Sequence, residues 1–211
     1  LFIPWSAMAS FSGLTEEIIQ RLAGYGCIGL KLGIESANSQ VLWNMHKSVD
    51  LRSVAGIINR CRQCGIKTHL TFSLGFIGET LEDIRETILY AQSLDADSIQ
   101  VSIATPLPGT EFFKRAKAEG WLVDAPWESY DAKRSSVIYP FCFYDKNLGK
   151  IRKDFLGQWF IRKAFSPRWI FNHLPIIFRT LKGLGCVLFF KQLIAILIDE
   201  SKNKKEIRYS I

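Results

Sequence analysis

The stretch "LKLGIESANSQVLWNMHK", residues 30–47, ends an alternating segment on Glu35 and continues through a polar turn toward a helix. Before Glu35, apolar residues alternate with small or charged ones, which is the period of a strand with one apolar face. A carboxylate that follows such a strand lies where parallel sheets and barrels carry their chemistry. The functional interpretation therefore starts at Glu35.

Three segments share this alternation, namely residues 27–34, 66–75 and 98–105. Helical patterns fill the stretches between them, and such long crossovers connect parallel strands rather than hairpins. A parallel strand that is covered on both faces is normally apolar throughout. The alternation therefore predicts a barrel-like α/β sheet whose helices cover the apolar face and whose interior is polar enough to hold a ligand.

The chain divides by composition into three regions. Residues 1–122 hold the strands, counting a first strand at "LFIPW", residues 1–5, and this region is predicted as the latter four strands of a partial barrel. Residues 123–149 read as a linker loop, and residues 150–211 as a basic, aromatic helical region. Because the first residue is Leu1, we expect the sequence to begin partway through a larger protein.

The positive charge lies in the C-terminal region. The net charge is +7, and residues 150–211 hold 13 Lys and Arg against 4 Asp and Glu. Interleaved aromatic and basic side chains are typical of a helix that contacts an anionic membrane surface. Helices packed on the barrel with basic outer faces explain the pattern equally well. The aromatic residues are Trp159, Phe160, Phe165, Trp169, Phe171 and Phe178, and the cations include Arg152, Lys153, Arg162, Lys163, Arg168 and Arg179.

Cysteine usage indicates the compartment. The sequence has 5 cysteines and no secretory signal, which predicts a reducing, cytoplasmic location, with membrane association through residues 150–211 as an option. Cys61 and Cys64 form a CxxC, and we interpret them as free thiols on a helix face rather than a redox dithiol or a zinc site. We expect no metal ligands and no nucleic-acid partner in this chain.

Two further motifs have competing interpretations. "GYGCIG", residues 24–29, matches GxGxxG, but it follows a predicted helix and precedes a strand, so it reads as a helix stop rather than a dinucleotide loop. His69 lies on the predicted interior face, where it could contact a substrate. His46 and His173 are isolated and read as packing or surface residues.

Glu35 and the segment "SLGFIGET", residues 73–80, are the two candidate ligand contacts. Glu35 could cap the following helix, or it could accept hydrogen bonds from a ribose diol. Gly75 and Gly78 would let a ligand approach the backbone, while Glu79 and Thr80 open the next helix. An ordinary turn between a strand and a helix explains the second segment equally well.

Taken together, the order GIES, NMHK, CxxxGI, LGFxGET and TPxPGT is more specific than any one motif. In this order the sequence resembles the radical S-adenosylmethionine (SAM) enzymes, in particular the group with a cobalamin-binding domain. The resemblance covers roughly residues 1–145. It implies a partial (β/α)6 barrel of TIM type, SAM and a [4Fe-4S] cluster as cofactors, and cobalamin as a further one.

The resemblance also implies positions for the cofactor. It assigns Glu35 and Ser36 to the ribose or methionine end of SAM, and the 73–79 segment to the adenine. The strand that follows contributes a turn at residues 105–108, with Thr105, Pro106 and Pro108. The implied cofactor-binding residues are Glu35, Ser36, Ser73, Gly75, Phe76, Gly78, Glu79, Thr105 and Pro106, and no catalytic residue is assigned.

The sequence departs from the family pattern in three respects. Ile77 stands where the family usually has proline, and the arginine expected soon after Trp5 is missing. The CxxxCxxC motif that supplies three cysteines to one iron-sulfur cluster is absent from the sequence. Cys61 and Cys64 cannot replace it, since they lack a third ligand. By analogy, the motif would precede Leu1.

The resemblance thus implies the C-terminal part of a radical SAM enzyme. The intact protein would form a deoxyadenosyl radical, for cobalamin-dependent methyl transfer or another C–H modification of a small-molecule or lipid-like substrate. The isolated chain would be inactive. The alternative is a non-catalytic remnant or an interaction protein that contacts a membrane surface, and another barrel enzyme without iron is a third interpretation.

Overall fold

The computed structural model describes residues 3–124, 126–133 and 145–164, together with residues 166, 171 and 174. The chain divides into two compact units, Leu1–Leu156 and Gly157–Ile211. The first unit contains the sheet. Within the second, the end of a helix is described, where the Lys163 ammonium lies 5.8 Å from the ring centre of Trp159.

Strands and helices alternate along the first unit. In chain order they are β1 (Trp5–Ala9), α1 (Glu16–Gly24), β2 (Cys27–Glu35), α2 (Ser39–Asn44), α3 (Val54–Gln63), β3 (Lys67–Leu74), α4 (Leu81–Ser93), β4 (Ser98–Ile103), α5 (Glu111–Ala118), a 3-10 turn (Trp127–Ser129) and α6 (Asp145–Ala164). The strands form one sheet in the order β1-β2-β3-β4, and each neighbouring pair is parallel. The predicted α/β fold with a parallel sheet is therefore confirmed.

Side-chain oxygens cap the N-termini of α1, α4 and α5. The Thr15 hydroxyl accepts a hydrogen bond from Ile18 N and begins α1. Thr80 and Asp83 form a reciprocal capping box at α4, and Thr110 caps α5. Each cap sits in the loop that follows a strand, so a helix starts at the carboxyl edge of the sheet.

One face of the sheet is apolar and is covered by helices. Leu32, Ile34, Leu70, Phe72, Leu74, Val101 and Ile103 belong to one buried cluster that also includes Ile19, Ile58 and Ile84 from the helices. The intervening strand residues, among them Lys31, His69 and Gln100, are partly or fully exposed. The predicted alternation is therefore confirmed, and the second face of the sheet is polar.

Two boundaries differ from the sequence prediction. The first strand runs from Trp5 to Ala9, whereas the sequence suggested residues 1–5. Pro4 has no backbone N–H to donate and is exposed, so it precedes the strand rather than pairing within it. At the other end, α6 begins at Asp145, inside the segment 123–149 that was interpreted as a linker loop.

Phe72 is the central residue of this core, and its substitution tests the packing. Its side chain is fully buried, and its ring centre lies 5.8 Å from that of Phe155 on α6. Phe72→Ala should lower the free energy of unfolding by about 3–5 kcal/mol because it leaves a cavity. Leu89→Ala on α4, at a side chain 67% exposed, should change it by less than about 0.5 kcal/mol. Equal losses for the two variants in urea unfolding would contradict this packing.

Candidate functional site

Glu35 ends β2 in a strained backbone conformation. Its φ is 73°, in the left-handed region that residues other than glycine rarely adopt. The pairing register with β3 shifts between Gly33 and Glu35, so a bulge immediately precedes the carboxylate. Bulges of this kind redirect a side chain at a sheet edge. The chain thus accepts local strain and places a carboxylate at the carboxyl rim of the sheet.

Lys47 and Thr71 hold this carboxylate in place. Lys47 Nζ donates to Glu35 Oε1 over 2.6 Å, and Thr71 Oγ1 donates to the same oxygen over 3.3 Å. Oε2 has no hydrogen-bond partner among the described residues. The side chains of Lys47 and Glu35 are 28% and 22% exposed, so the ion pair still contacts solvent. The pair is anchored to the sheet and remains open to a ligand.

Gly33 lies directly beneath this ion pair. A Cβ atom built at Gly33 would overlap both Glu35 Oε1 and Lys47 Nζ, and it would lie 3.4 Å from Thr71 Oγ1. Both atoms are the ends of flexible side chains, so a larger residue at position 33 would shift the ion pair from its present position. Glycine at position 33 is therefore part of the site.

Lys47 also lines a surface cavity beside α2. The cavity has a volume of about 410 Å³ and is lined by Ser39, Leu42, Trp43, His46, Lys47, Ser48 and Val49. Lys47 was not singled out as a site residue, although it belongs to the quoted NMHK turn. A basic residue soon after a strand-end carboxylate is the signal that could have identified it.

The side chain of Glu79 holds the turn between β3 and α4 through hydrogen bonds to its backbone. Its side chain is fully buried, and its Oε2 accepts hydrogen bonds from the backbone N–H groups of Gly75 and Phe76. Its Oε1 is buried without a hydrogen-bond partner. Burial raises the pKa of this carboxyl from 4.5 to about 7, although the two backbone donors oppose the shift. Glu79 therefore positions the turn through its Oε2, and its role in cofactor binding stays a prediction.

The glycines of this turn are explained by conformation and packing. Gly75 and Gly78 have φ values of 81° and 82°, which favour glycine. A Cβ at Gly75 would lie 2.8 Å from a Leu148 methyl group, and one at Gly78 would lie 3.1 Å from Asn44 Nδ2. Protein atoms thus occupy the space beside both residues. The prediction that they allow a ligand close to the backbone stays a prediction.

Hydrogen bonds connect the Glu35 loop to this turn. Asn44 Nδ2 donates to Ile77 O over 3.2 Å, and Asn38 Nδ2 donates to Asp83 Oδ1 over 2.7 Å. Ser36 is fully buried, with its hydroxyl 3.3 Å from that of Thr87. The segment after β2 and the segment after β3 therefore meet at one rim, as predicted.

The remaining predicted residues continue this rim. Ala104 N donates to Leu74 O over 2.8 Å, which extends the contact of β4 with β3 to the residue before Thr105. The Thr105 hydroxyl donates to Ile103 O, and Pro106 is buried. Phe76 packs on Phe112 with ring centres 5.0 Å apart, and Ser73 is partly buried. The structure brings all the predicted residues to one edge of the sheet, and their cofactor roles stay predictions.

The three described cysteines are free thiols. Cys27 and Cys61 are buried, and Cys64 is partly buried. Burial, with smaller contributions from Cys64 and Cys27, raises the pKa of Cys61 to about 11, so its thiolate is disfavoured. Within residues 3–124, 126–133 and 145–164, no group of three His, Cys, Asp or Glu side chains could hold a metal ion. Cys142 and Cys186 lie outside the described residues.

The membrane-contact prediction falls largely outside the described part of the chain, which does not include Phe165, Arg168, Trp169, His173, Phe178 or Arg179. Among the described residues, none of the helices has the length and hydropathy that a membrane crossing requires. Contact with a membrane surface stays a prediction.

Comparison with known proteins identifies the family. Residues 6–91, which run from β1 into α4 and include the rim around Glu35 and Glu79, match the sequence profile of the Radical SAM superfamily. The sequence of this segment is that of a Radical SAM domain. An uncharacterised methyltransferase of Pyrococcus horikoshii is 28% identical over 87% of this chain, and the aligned part is 40% of that protein. The chain therefore spans less than half the length of this relative.

Solved structures show the same fold. Coproporphyrinogen III oxidase from Escherichia coli, a radical SAM enzyme, matches 74% of this chain and 32% of its own, with a TM-score of 0.56 and 19% identity. The radical SAM methyltransferase TsrM of Kitasatospora setae, with cobalamin and a [4Fe-4S] cluster bound, matches 57% of this chain and 23% of its own, with a TM-score of 0.50 and 24% identity. The parallel sheet described above therefore has the same fold as the matched part of these structures.

The buried Glu79 predicts a pH-dependent stability. Since the folded pKa of about 7 lies above the ordinary value of 4.5, the folded protein retains a proton that the unfolded chain releases, and stability falls as pH rises between these values. Glu79→Gln mimics the protonated carboxyl. The difference in unfolding free energy between this variant and wild type should therefore be about 1–3 kcal/mol more favourable to the variant above pH 7 than below pH 4.5.

Urea unfolding at both pH values measures this difference. Glu82→Gln is the matched control, because Glu82 lies three residues away, in the first turn of α4, with a side chain that is 80% exposed. The control should keep the wild-type pH dependence. A Glu79→Gln protein with that same dependence would show that Glu79 is not the group responsible.

Proposed function

We propose that this chain forms the SAM-binding part of a radical SAM enzyme whose intact form transfers a methyl group to a small-molecule or lipid-like substrate. The observation that carries the proposal is the Glu35–Lys47 pair at the carboxyl rim of the sheet. The superfamily match supports SAM as the ligand. The methyltransferase names of the relatives support methyl transfer as the reaction.

The chemistry of the pair suits SAM. The methionine end of SAM carries an ammonium and a carboxylate, and its ribose carries two hydroxyl groups. Glu35 Oε2, which has no described partner, can accept from the ammonium or the hydroxyl groups, while Lys47 can donate to the carboxylate. Without ligand, each side chain neutralises the other. A zwitterionic ligand replaces one ion pair by two without leaving a charge unpaired.

The rest of the rim would hold the adenosine. Glu79 fixes the turn at residues 75–78, and the partly buried Phe76 offers an aromatic surface beside it. Such fixed groups position the cofactor and exclude water, which is the protein's contribution to reactions of bound cofactors. SAM held at this rim would supply the methyl group and, when an electron from a [4Fe-4S] cluster bound elsewhere in the protein breaks a sulfonium C–S bond, a deoxyadenosyl radical with methionine as the leaving group.

The described residues of this chain do not fit a [4Fe-4S] cluster. Such a cluster requires thiolates that meet in space, whereas the sequence has no CxxxCxxC and the described cysteines form no metal-binding group. We therefore propose that a part of the protein outside this sequence supplies the ligands. The chain spans 40% of its Pyrococcus relative, which leaves room for such a part. Cobalamin, present in TsrM, is the proposed methyl carrier.

Substitution of the ion pair tests the SAM site. Glu35→Gln and Lys47→Met should each weaken SAM binding by about tenfold or more, since each removes a charge-assisted hydrogen bond. Ligand-observed NMR with millimolar SAM and the 211-residue chain measures this. Glu82→Gln, which breaks the exposed pair with Arg85, should leave SAM binding unchanged. If both rim variants bind SAM as tightly as wild type, the site assignment is wrong.

Cluster reconstitution tests where the iron ligands come from. The 211-residue chain, treated anaerobically with iron and sulfide, should hold no stoichiometric cluster and should not cleave SAM. A protein extended upstream through a CxxxCxxC segment should do both, as measured by iron content and by deoxyadenosine release under reducing conditions. Deoxyadenosine formed by the shorter chain would contradict the proposed division of ligands.

A further inference from the structure

A row of polar side chains crosses the sheet on the face opposite the core. The strand register places Lys31 of β2 beside His69 of β3, and His69 beside Ser98 of β4. On the other side, Lys31 pairs with Met8 of β1, whose side chain is 78% exposed. The row lies below the rim that carries Glu35, on the interior face of the predicted barrel.

Lys31 is a cation without a carboxylate partner. Its Nζ donates to Gln100 Oε1 over 2.9 Å, and no described Asp or Glu forms an ion pair with it. Lys31 is partly buried, so water screens its charge less than it would on an open surface. An ammonium has three donors, and one neutral amide oxygen satisfies only one of them. The position therefore favours a negatively charged ligand.

His69 adds a second donor that responds to charge. Its Nδ1 lies 2.7 Å from the Ser98 hydroxyl, which orients the ring. Burial lowers the pKa of His69 below 6.5, Lys31 lowers it further, and Gln100 opposes both. Near neutral pH the ring is therefore uncharged. An anion bound beside Lys31 would offset the lysine charge and favour protonation of the ring.

We infer that Lys31, His69 and Gln100 form an oxyanion-binding site that holds a carboxylate or phosphate group of the substrate. That the ligand is the substrate rests on the proposed function, whereas the oxyanion site rests on the contacts above. Lys31 and Glu35 are four residues apart on β2, or about 13 Å along a strand. A charged group anchored at this depth would orient the reacting end of the substrate toward the rim.

NMR of the His69 ring tests the site without SAM or a cluster. The 211-residue chain is titrated separately with inorganic phosphate and with acetate, at constant ionic strength. At least one of the two should shift the His69 signals saturably and raise the His69 pKa. Lys31→Met should weaken that binding by about tenfold or more. Lys31→Arg should retain it, and Lys117→Met, at an exposed lysine of α5, should match wild type.

The two oxyanions distinguish the substrate classes, because preferential binding of phosphate or of acetate identifies the group. Gln100→Leu, which removes the acceptor of Lys31, serves as a second variant and should weaken binding severalfold. If neither anion saturates the His69 signals, or if Lys31→Met and Gln100→Leu both bind like wild type, the inference is overturned.

The SAM proposal can fail independently. The His69 signals report the oxyanion and ligand-observed NMR reports SAM, so the two kinds of binding are measured separately on the unsubstituted 211-residue chain. A chain that binds an oxyanion but not SAM would retain this site and refute the proposed function. A chain that binds SAM but no oxyanion would refute the oxyanion site and leave the proposed function standing.

Discussion

The alternation of apolar and polar side chains along parallel strands is the constraint on which the other features depend. Leu32, Leu70 and Val101 turn toward the helices, so the residues between them must face the opposite side. Pairing of Gly33 with Thr71, and of Thr71 with Gln100, keeps those polar residues in register. A slip of one residue would exchange the two faces. Burial of the apolar residues therefore also determines which residues lie on the polar face and at the rim.

The sequence was sufficient for the fold because its signals are local. The period of two in β2 and the cap at Thr15 each involve a few neighbouring residues, and the crossover lengths determine that the strands are parallel. The position of Glu35 at a strand end followed from the same pattern. The order of the motifs then indicated the family, which the comparisons confirmed.

The parts that could not be predicted depend on contacts between distant segments. The pairing of Lys47 with Glu35 requires α2 to return over the end of β2, and only the folded backbone shows that return. Gly75 packs against Leu148, which lies far along the chain. Glu79 was predicted as a ligand contact. Its burial could not be predicted, because it depends on how the 75–78 turn closes over the side chain. Residue types alone do not distinguish a carboxylate that meets a ligand from one that supports a loop.

The backbone conformation at position 35 favours glycine, whereas the ion pair with Lys47 requires the carboxylate of Glu35. A glycine would adopt a φ of 73° without strain, which on general grounds favours it by about 1 kcal/mol. The same glycine would deprive Lys47 of its carboxylate and leave a partly exposed cation alone at the rim. The two effects on stability oppose each other. In either case the substitution removes an acceptor from the site. Position 35 is therefore one where a folded, stable protein can lose its rim carboxylate without any sign of damage to the fold.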